Sequence, residues 1–351
     1  MASHPSIELD IHDVAFGGSG VGRLDGKIVF VPFTIDGERV EAEVVEGRKN
    51  FDRAQLRKVI VPSDQRVEPI CPYFGHCGGC DYQHIAYDHQ LELKRRQVSQ
   101  LLERIGRITD VDVFPTIASE GSYAFRNRIT VHATDNRIGF FERNSRNVVD
   151  VEQCAIASPA VNDALKALRA AGLEDGKHRT LRGAGVPRTF TQTNDFIAMA
   201  LLDFIDRHVT GEILVDAYCG AGFFGHALAG RLKRVIGIDW NEPAIDAARQ
   251  SASSNETYIC GDVAATIESL LENEQPDTVI LDPSADGVGD RVTDELGINP
   301  SSRLIYVSCN PATLARDLAR LRNNYQIAAV QPFDMFPQTA EIEAVAVLDR
   351  R

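Results

Sequence analysis

Residues 212–225 read EILVDAYCGAGFFG, and the architecture turns on this stretch. The apolar run from Ile213 to Ala217 passes through a turn holding Gly220 and Gly222 into a helical pattern that starts at Phe223 and Phe224. A strand that leaves through a glycine turn into a helix opens a doubly wound α/β sheet, whose ligands sit beyond the carboxyl ends of the strands. Glycine at 220 and 222 lets a ligand approach the backbone without a side-chain clash. Downstream the alternation continues as strand RVIGIDW, helix EPAIDAARQSA, strand TYIC, helix VAATIESLLE, strand DTVILDP, strand RLIYVSC and helix PATLARDLARL. Two final strands, near 325–333 and 342–348, complete a seven-stranded, mostly parallel sheet.

Acidic residues close these strands. Asp239 lies 23 residues after Asp216, where a carboxylate accepts hydrogen bonds from both hydroxyls of a ribose. Asp262, after the third strand, is placed to meet an adenine amino group. The glycine turn runs G-x-G into two phenylalanines rather than G-x-G-x-x-G, and no phosphate-cradling lysine follows. A phosphate-free S-adenosyl donor therefore fits better than a dinucleotide, the competing reading being a tight strand-to-helix turn without a ligand.

The fifth strand ends at Cys309, and a helix begins at the following Asn310-Pro311. A helix N-terminus stabilises a thiolate, the reactive form of a nucleophilic cysteine. A lone cysteine is more often a small packing residue. Asp282 at the end of the fourth strand and Glu343 at the start of the last shift the balance towards chemistry.

Upstream, residues 7–61 alternate apolar and polar in short runs separated by turns at GGSGVG, DGK, DGER and EGRKN, a small five-stranded, OB-like β-barrel. A cysteine-bearing loop at 71–80 leads into an amphipathic helix from Asp88 to Ile105, and residues 111–200 mix strands with a helix near 160–171. Three domains are expected: a barrel at 1–64, an α+β middle domain at 65–200 and the α/β domain at 201–351.

Cys71, Cys77 and Cys80 form C-x5-C-x2-C, and Cys154 is available as a fourth thiolate. Four thiolates suit zinc or an iron–sulfur cluster, and the spacing does not choose between them. Cys219 and Cys260 read as packing residues near the glycine turn, and His76 and His84 as loop residues rather than ligands.

With 44% apolar and 25% charged residues and no biased tract, the 351-residue chain reads as an ordinary globular protein. The longest apolar stretch, Phe196 to Ile205, is broken by Asp203 and is too short to span a membrane. The N-terminus lacks the basic and apolar regions of a secretory signal, so a cytoplasmic location is expected, with no membrane and no obligate protein partner. The net charge of −13 is unevenly spread: residues 201–351 hold 12 basic against 23 acidic side chains, and residues 65–200 hold 17 against 16. Five arginines lie between Arg126 and Arg146, enough for a locally basic surface facing phosphates.

Over nearly its whole length the sequence resembles the RNA 5-methyluridine methyltransferases, in the branch with an N-terminal TRAM barrel and an iron–sulfur cluster. The matching stretches are GGSGVGRLDGKIVFVPFTIDGERV, CPYFGHCGGCDYQH with QLELKRRQV, FRNRI, GFFERNSRNVVDVEQC, TFTQTN, DAYCGAGFFG, SCNPATLARDL and FPQTAEIEAVAVL. The resemblance implies a Rossmann-like class I methyltransferase fold, Cys309 as nucleophile, Glu343 as proton acceptor, and Gln192, Tyr218, Asp239 and Asp282 around S-adenosylmethionine and the target base. It also implies a [4Fe–4S] cluster on Cys71, Cys77, Cys80 and Cys154. Phe190 is a candidate stacking platform for the base, and Asp282 a candidate acceptor for the N3–H of uracil.

The chain departs from that pattern in four places, one being Phe190-Thr191-Gln192-Thr193-Asn194, a looser version of the family's run before the cofactor domain. Asp282 is followed by Pro283-Ser284-Ala285 where the family has two prolines and an arginine, Glu341 stands where histidine is common, and the segment from Cys154 to Phe190 is short. The expected activity is methylation of uridine C5 in RNA, with large-subunit ribosomal RNA as the first choice and transfer RNA as the alternative. A catalytically inactive RNA-binding protein is the rival from another class, and retention of Cys309, Asp282 and Glu343 argues against it.

Overall fold

The computed structural model describes residues 6–183 and 192–351. The chain folds as two compact units: residues 1–97, 121–184 and 336–341 form the first, and residues 98–120, 185–335 and 342–351 the second.

The first unit opens with a closed barrel of β1 (Ser6–Val14), β2 (Ser19–Leu24), β3 (Lys27–Pro32), β4 (Arg39–Gly47) and β5 (Phe51–Val61), in the order β1-β2-β3-β5-β4. Leu9, Ile11, Val29, Val31, Val40, Ala42 and Ala54 fill it. A two-residue loop, Asp25 and Gly26, both at positive φ, joins β2 to β3 and matches the strand twist. Part of GGSGVG, expected to be a turn, is strand β2. A Cβ on Gly20 would lie 1.9 Å from Thr34 Oγ1 and one on Gly22 2.2 Å from Leu9 Cδ1, so these glycines admit close neighbours inside the barrel.

Helix α1 (Tyr87–Leu101) ends in a single π-helical turn, Leu102–Gly106, where the sequence pattern predicts regular helix to Ile105. A four-stranded sheet follows in the order β8-β7-β6-β9, from β6 (Arg128–Thr134), β7 (Arg137–Phe141), β8 (Val148–Asp150) and β9 (His178–Arg182). Helix α2 (Pro159–Ala171), capped by Ser158 with proline at its first position, covers one face through Val161 and Leu165.

The second unit adds α3 (Asp195–His208) and the predicted α/β alternation: β10 (Ile213–Ala217), α4 (Phe223–Leu228), β11 (Arg234–Asp239), α5 (Glu242–Ser251), β12 (Glu256–Cys260), α6 (Val263–Glu274), β13 (Thr278–Leu281), α7 (Gly289–Ile298), β14 (Arg303–Ser308), α8 (Pro311–Leu321), β15 (Tyr325–Phe333) and β16 (Glu343–Arg350). The sheet order is β12-β11-β10-β13-β14-β16-β15, parallel except that β16 runs antiparallel to both its neighbours. Helices α3 and α7 escape the sequence reading. No helix among the described residues is long and apolar enough to cross a membrane.

Candidate active site

Reversal of β16 decides the site. Because β16 is antiparallel, its first residue, Glu343, lies at the carboxyl edge of the parallel strands, and Ser308 of β14 pairs with Ala344. Cys309 follows the end of β14 at the same edge of the sheet where Glu343 opens β16. Cys309 is exposed and Glu343 is buried. Asn310 caps α8 through its side chain, accepting from Ala312 N at 3.1 Å, so Cys309 immediately precedes a helix N-terminus, as the sequence predicts.

Three carboxyl groups gather at the ends of β10, β11 and β13. Asp216 is fully buried and accepts from Gly225 N at 3.0 Å. Burial pushes its pKa up to about 8, with Asp282 and Asp239 adding to the effect. Burial and then Asp239 push Asp282 up to about 7. Asp239 accepts from Gly220 N at 3.0 Å and Asn241 N at 2.8 Å. A cluster of close, dehydrated acids favours either protons or a cation among them.

The glycine turn divides into two roles. A Cβ on Gly220 would meet nothing within 4 Å, so that position faces open space. Gly222, at φ +82°, would place a Cβ 2.7 Å from Tyr258 Oη and 2.8 Å from His226 Nε2. At Gly222 the chain's own Tyr258 and His226 therefore occupy the space a side chain would need. Tyr218 takes the left-handed conformation, φ +64°, and its phenol is pushed up to about 12 by burial and by Asp262 and Asp317. Asp262 is exposed and caps α6, accepting from Ala264 N at 2.9 Å. Gln192 is partly buried just before Asn194, the cap of α3. Phe190 lies outside the described residues.

Cys219 packs with Ile245, Ala248 and Tyr258 as predicted, whereas Cys260 is exposed at the strand end rather than packed. Sequence reasoning missed Trp240, whose indole is 76% exposed directly after Asp239. It also missed the clamp behind Cys309: Asn310 Nδ2 and Thr313 Oγ1 donate to Ala285 O at 3.1 and 3.0 Å, and Arg316 Nη2 donates to Asp286 O at 2.8 Å. Buried Asp317 accepts from Tyr306 Oη at 2.8 Å and Val288 N at 3.1 Å. The loop after Asp282, where the sequence departs from the expected prolines and arginine, is thus tied to the start of α8, the helix that follows Cys309. The only advance signal was the Asn-Pro start of α8.

In the first unit, Cys71, Cys77, Cys80 and Cys154 all line one cavity of about 560 Å³. All four are free thiols. Burial raises the pKa values of Cys77, Cys80 and Cys154, and the neighbouring thiols contribute to each. The Cys71–Cys80 loop is stitched to the sheet by Gly78 N donating to Phe141 O and by Arg143 Nη2 donating to Cys80 O at 2.9 Å. Among the described residues no three potential ligands converge as they would on a single ion. His84 lies in a turn, as expected, and is buried against Phe33 and Phe74, its pKa lowered to about 3 chiefly by burial.

A Rossmann-like sheet with acids clustered at its carboxyl edge and a closed N-terminal barrel define the class. Residues 265–351 match the tRNA (Uracil-5-)-methyltransferase family and residues 6–56 match the TRAM domain. An uncharacterized RNA methyltransferase of Halalkalibacterium halodurans is 30% identical, with 98% of this chain and 96% of the relative covered, and one from Listeria innocua is 31% identical over 98% and 97%. The crystal structure of Pyrococcus abyssi tRNA (uracil-54, C5)-methyltransferase with S-adenosyl-L-homocysteine superimposes with a TM-score of 0.76 at 26% identity, covering 97% of this chain and all of that one. The chain belongs to the RNA (uracil-5-)-methyltransferase family and carries its TRAM domain.

Proposed function

We propose that the protein transfers the methyl group of S-adenosylmethionine to C5 of a specific uridine in structured RNA through a covalent Cys309 adduct at C6. The observation that carries this reading is the β14–β16 register, in which Ser308 pairs with Ala344, so that Cys309 follows the end of β14 and Glu343 opens β16 at the same carboxyl edge of the sheet. Uracil C5 is a poor nucleophile. Addition of the Cys309 thiolate to C6 moves electron density onto C5, which accepts the methyl group. Glu343 then takes the C5 proton, and the electron pair left behind expels Cys309 and restores the ring. S-Adenosylmethionine supplies the methyl group.

Asp239 is the candidate ribose acceptor, Asp262 meets the adenine amino group, Gly220 leaves the space, and Gln192, Tyr218 and Asp282 border donor and base. Asp216 and Asp282, whose charge burial opposes, suit a cationic sulfonium that would neutralise it. Asp282 in its ionised form accepts the uracil N3–H, which cytosine lacks. Four free thiols line one cavity, a donor set that suits either zinc or an iron–sulfur cluster, and the family resemblance favours [4Fe–4S]. Cys71, Cys77, Cys80 and Cys154 would hold it, and it would tie the cysteine loop to the strands beside it. Residues 1–64 act as RNA-binding barrel, 65–200 as cluster and RNA-contacting domain, and 201–351 as catalytic domain, in a cytoplasmic enzyme.

Ribosomal RNA is the first reading of the substrate, resting on the barrel and cysteine set. Transfer RNA is the second, favoured by the activity of the Pyrococcus abyssi neighbour. Anaerobically purified protein, S-adenosylmethionine and ribosomal or transfer RNA transcribed with 5-fluorouridine separate them. Fluorine at C5 cannot leave as a proton, so turnover stalls as a protein–RNA adduct on a denaturing gel. An adduct with one pool, absent in Cys309→Ala, is expected and names the substrate class. No adduct with either pool, although S-adenosylmethionine binds, would overturn the reading.

A further inference from the structure

The four-stranded sheet of the first unit has one face buried and one turned outward. Ile129, Val131, Ala133 and Leu181 pack beneath α2. Alternate positions therefore stand on the opposite face. There the antiparallel register sets each residue against its like: Arg128 opposite Arg182, Thr130 opposite Thr180, and His132 opposite His178.

Like charges directly opposed across strands destabilise a sheet. Burial and the neighbouring Arg182 and Arg126 hold Arg128 below the usual guanidinium range, and burial and His178 hold His132 below the usual imidazole range. Such a face is favourable to an anion laid across it. An aromatic shelf adjoins it. Phe141 of β7 stacks on His132 with ring centroids 4.0 Å apart and planes at 27°, and it is 39% exposed. The stack borders a cavity of about 390 Å³ that Gly78, Gly79, Thr130 and Arg143 also line.

We propose that this outer face docks a single-stranded segment of the RNA substrate, with one base on the Phe141–His132 stack and the flanking phosphates on Arg128 and Arg182. The proposal rests on the RNA-methyltransferase reading and specifies where the unpaired strand lies. Splayed bases stack on exposed rings and phosphates pair with guanidinium groups, whereas a duplex keeps its base faces stacked on one another. Arg128 and Arg182 also line the cysteine cavity, so their charge alone has a second use beside thiolates. Phe141 does not line that cavity, and it carries the distinction.

The test uses full-length, anaerobically purified protein and a labelled single-stranded RNA of about 20 nucleotides and mixed sequence, alone or annealed to its complement, followed by fluorescence anisotropy. Phe141→Ser is expected to weaken single-strand binding by roughly 5- to 150-fold, with duplex binding unchanged and Phe141→Tyr restoring the affinity. Arg182→Gln should reduce the slope of log affinity against log salt by about 0.7, at unchanged iron content. Undiminished single-strand binding by Phe141→Ser, equal loss for strand and duplex, or failure of the wild type to bind the strand would each overturn the proposal. Because the assay reads binding and not methylation, a Cys309-dependent adduct formed by a protein that fails it would leave the catalytic reading standing. Strand binding without any adduct would do the reverse.

Discussion

At Asp282 the sheet holds a carboxyl group in surroundings that favour its proton. Its pKa rises from the usual 3.8 to about 7, so between those values the folded protein binds more protons than the unfolded chain. Stability therefore falls as pH rises through that window. Asp282→Asn removes this term, and calorimetry of the ligand-free protein should show it more stable than the wild type at pH 8, by on the order of 2 kcal/mol, with little difference at pH 4. Activity should move the other way. If the ionised form accepts uracil N3–H, turnover rises with pH through about 7, and Asp282→Asn loses both this limb and the preference for uridine over cytidine. The glycine turn yields a paired prediction. Gly222→Ala collides with Tyr258 and His226 and lowers the melting temperature, whereas Gly220→Ala, which meets open space, costs about 1 kcal/mol from its φ of +54° and shows its main loss in S-adenosylmethionine affinity. Both glycines were visible in the sequence. Their different jobs were not, because Tyr258 approaches from another strand.

Among the elements, α8 decides most. Its start was legible, since Asn310-Pro311 after an apolar strand is a helix cap with a fixed first turn. Its inner face was not. In PATLARDLARL, Asp317 looks like part of a solvated stripe, yet it is fully buried and receives Tyr306 and Val288. Asn310→Ala should cost about 1–2 kcal/mol as a lost cap. By freeing the loop at Ala285 it should also lower kcat with S-adenosylmethionine affinity unchanged, measured by steady-state kinetics beside isothermal titration. Asp317→Ala, which leaves a buried hydroxyl and amide without their acceptor, should cost about 3 kcal/mol in denaturant unfolding, and Tyr306→Phe about 1. The four-stranded sheet is the opposite case. Its alternation was readable, but which strands pair, and hence that arginine meets arginine and histidine meets histidine, came only from the register.

For the whole molecule, chain order and spatial grouping diverge. Residues 336–341 fold with the first unit, where Gln338 accepts from Asp81 N and Tyr82 N at 3.0 Å, and the chain then resumes in the second unit at Ile342. A linear reading into consecutive blocks has no means of finding such a crossing. The four cysteines lie within the first unit, so loss of the proposed cluster should be felt there. Cys77→Ser with Cys154→Ser should abolish bound iron and lower the thermal transition of the anaerobic protein, while S-adenosylmethionine binding, carried by residues of the second unit, persists in titration. Loss of that binding together with the iron would contradict this assignment.

By itself the sequence determined the kinds of structure present: the alternating barrel strands, the glycine turn, the strand-to-helix order and the cysteine spacing all follow from local periodicity and backbone preference. Those signals act over a few residues and are written where they act. Tertiary structure alone decided that β16 runs backwards to start Glu343 at the carboxyl edge where β14 ends, that Gly222 packs against Tyr258, and that like charges face each other across β6 and β9. Each depends on strand register and on contacts between residues far apart in sequence, set by how the whole core packs.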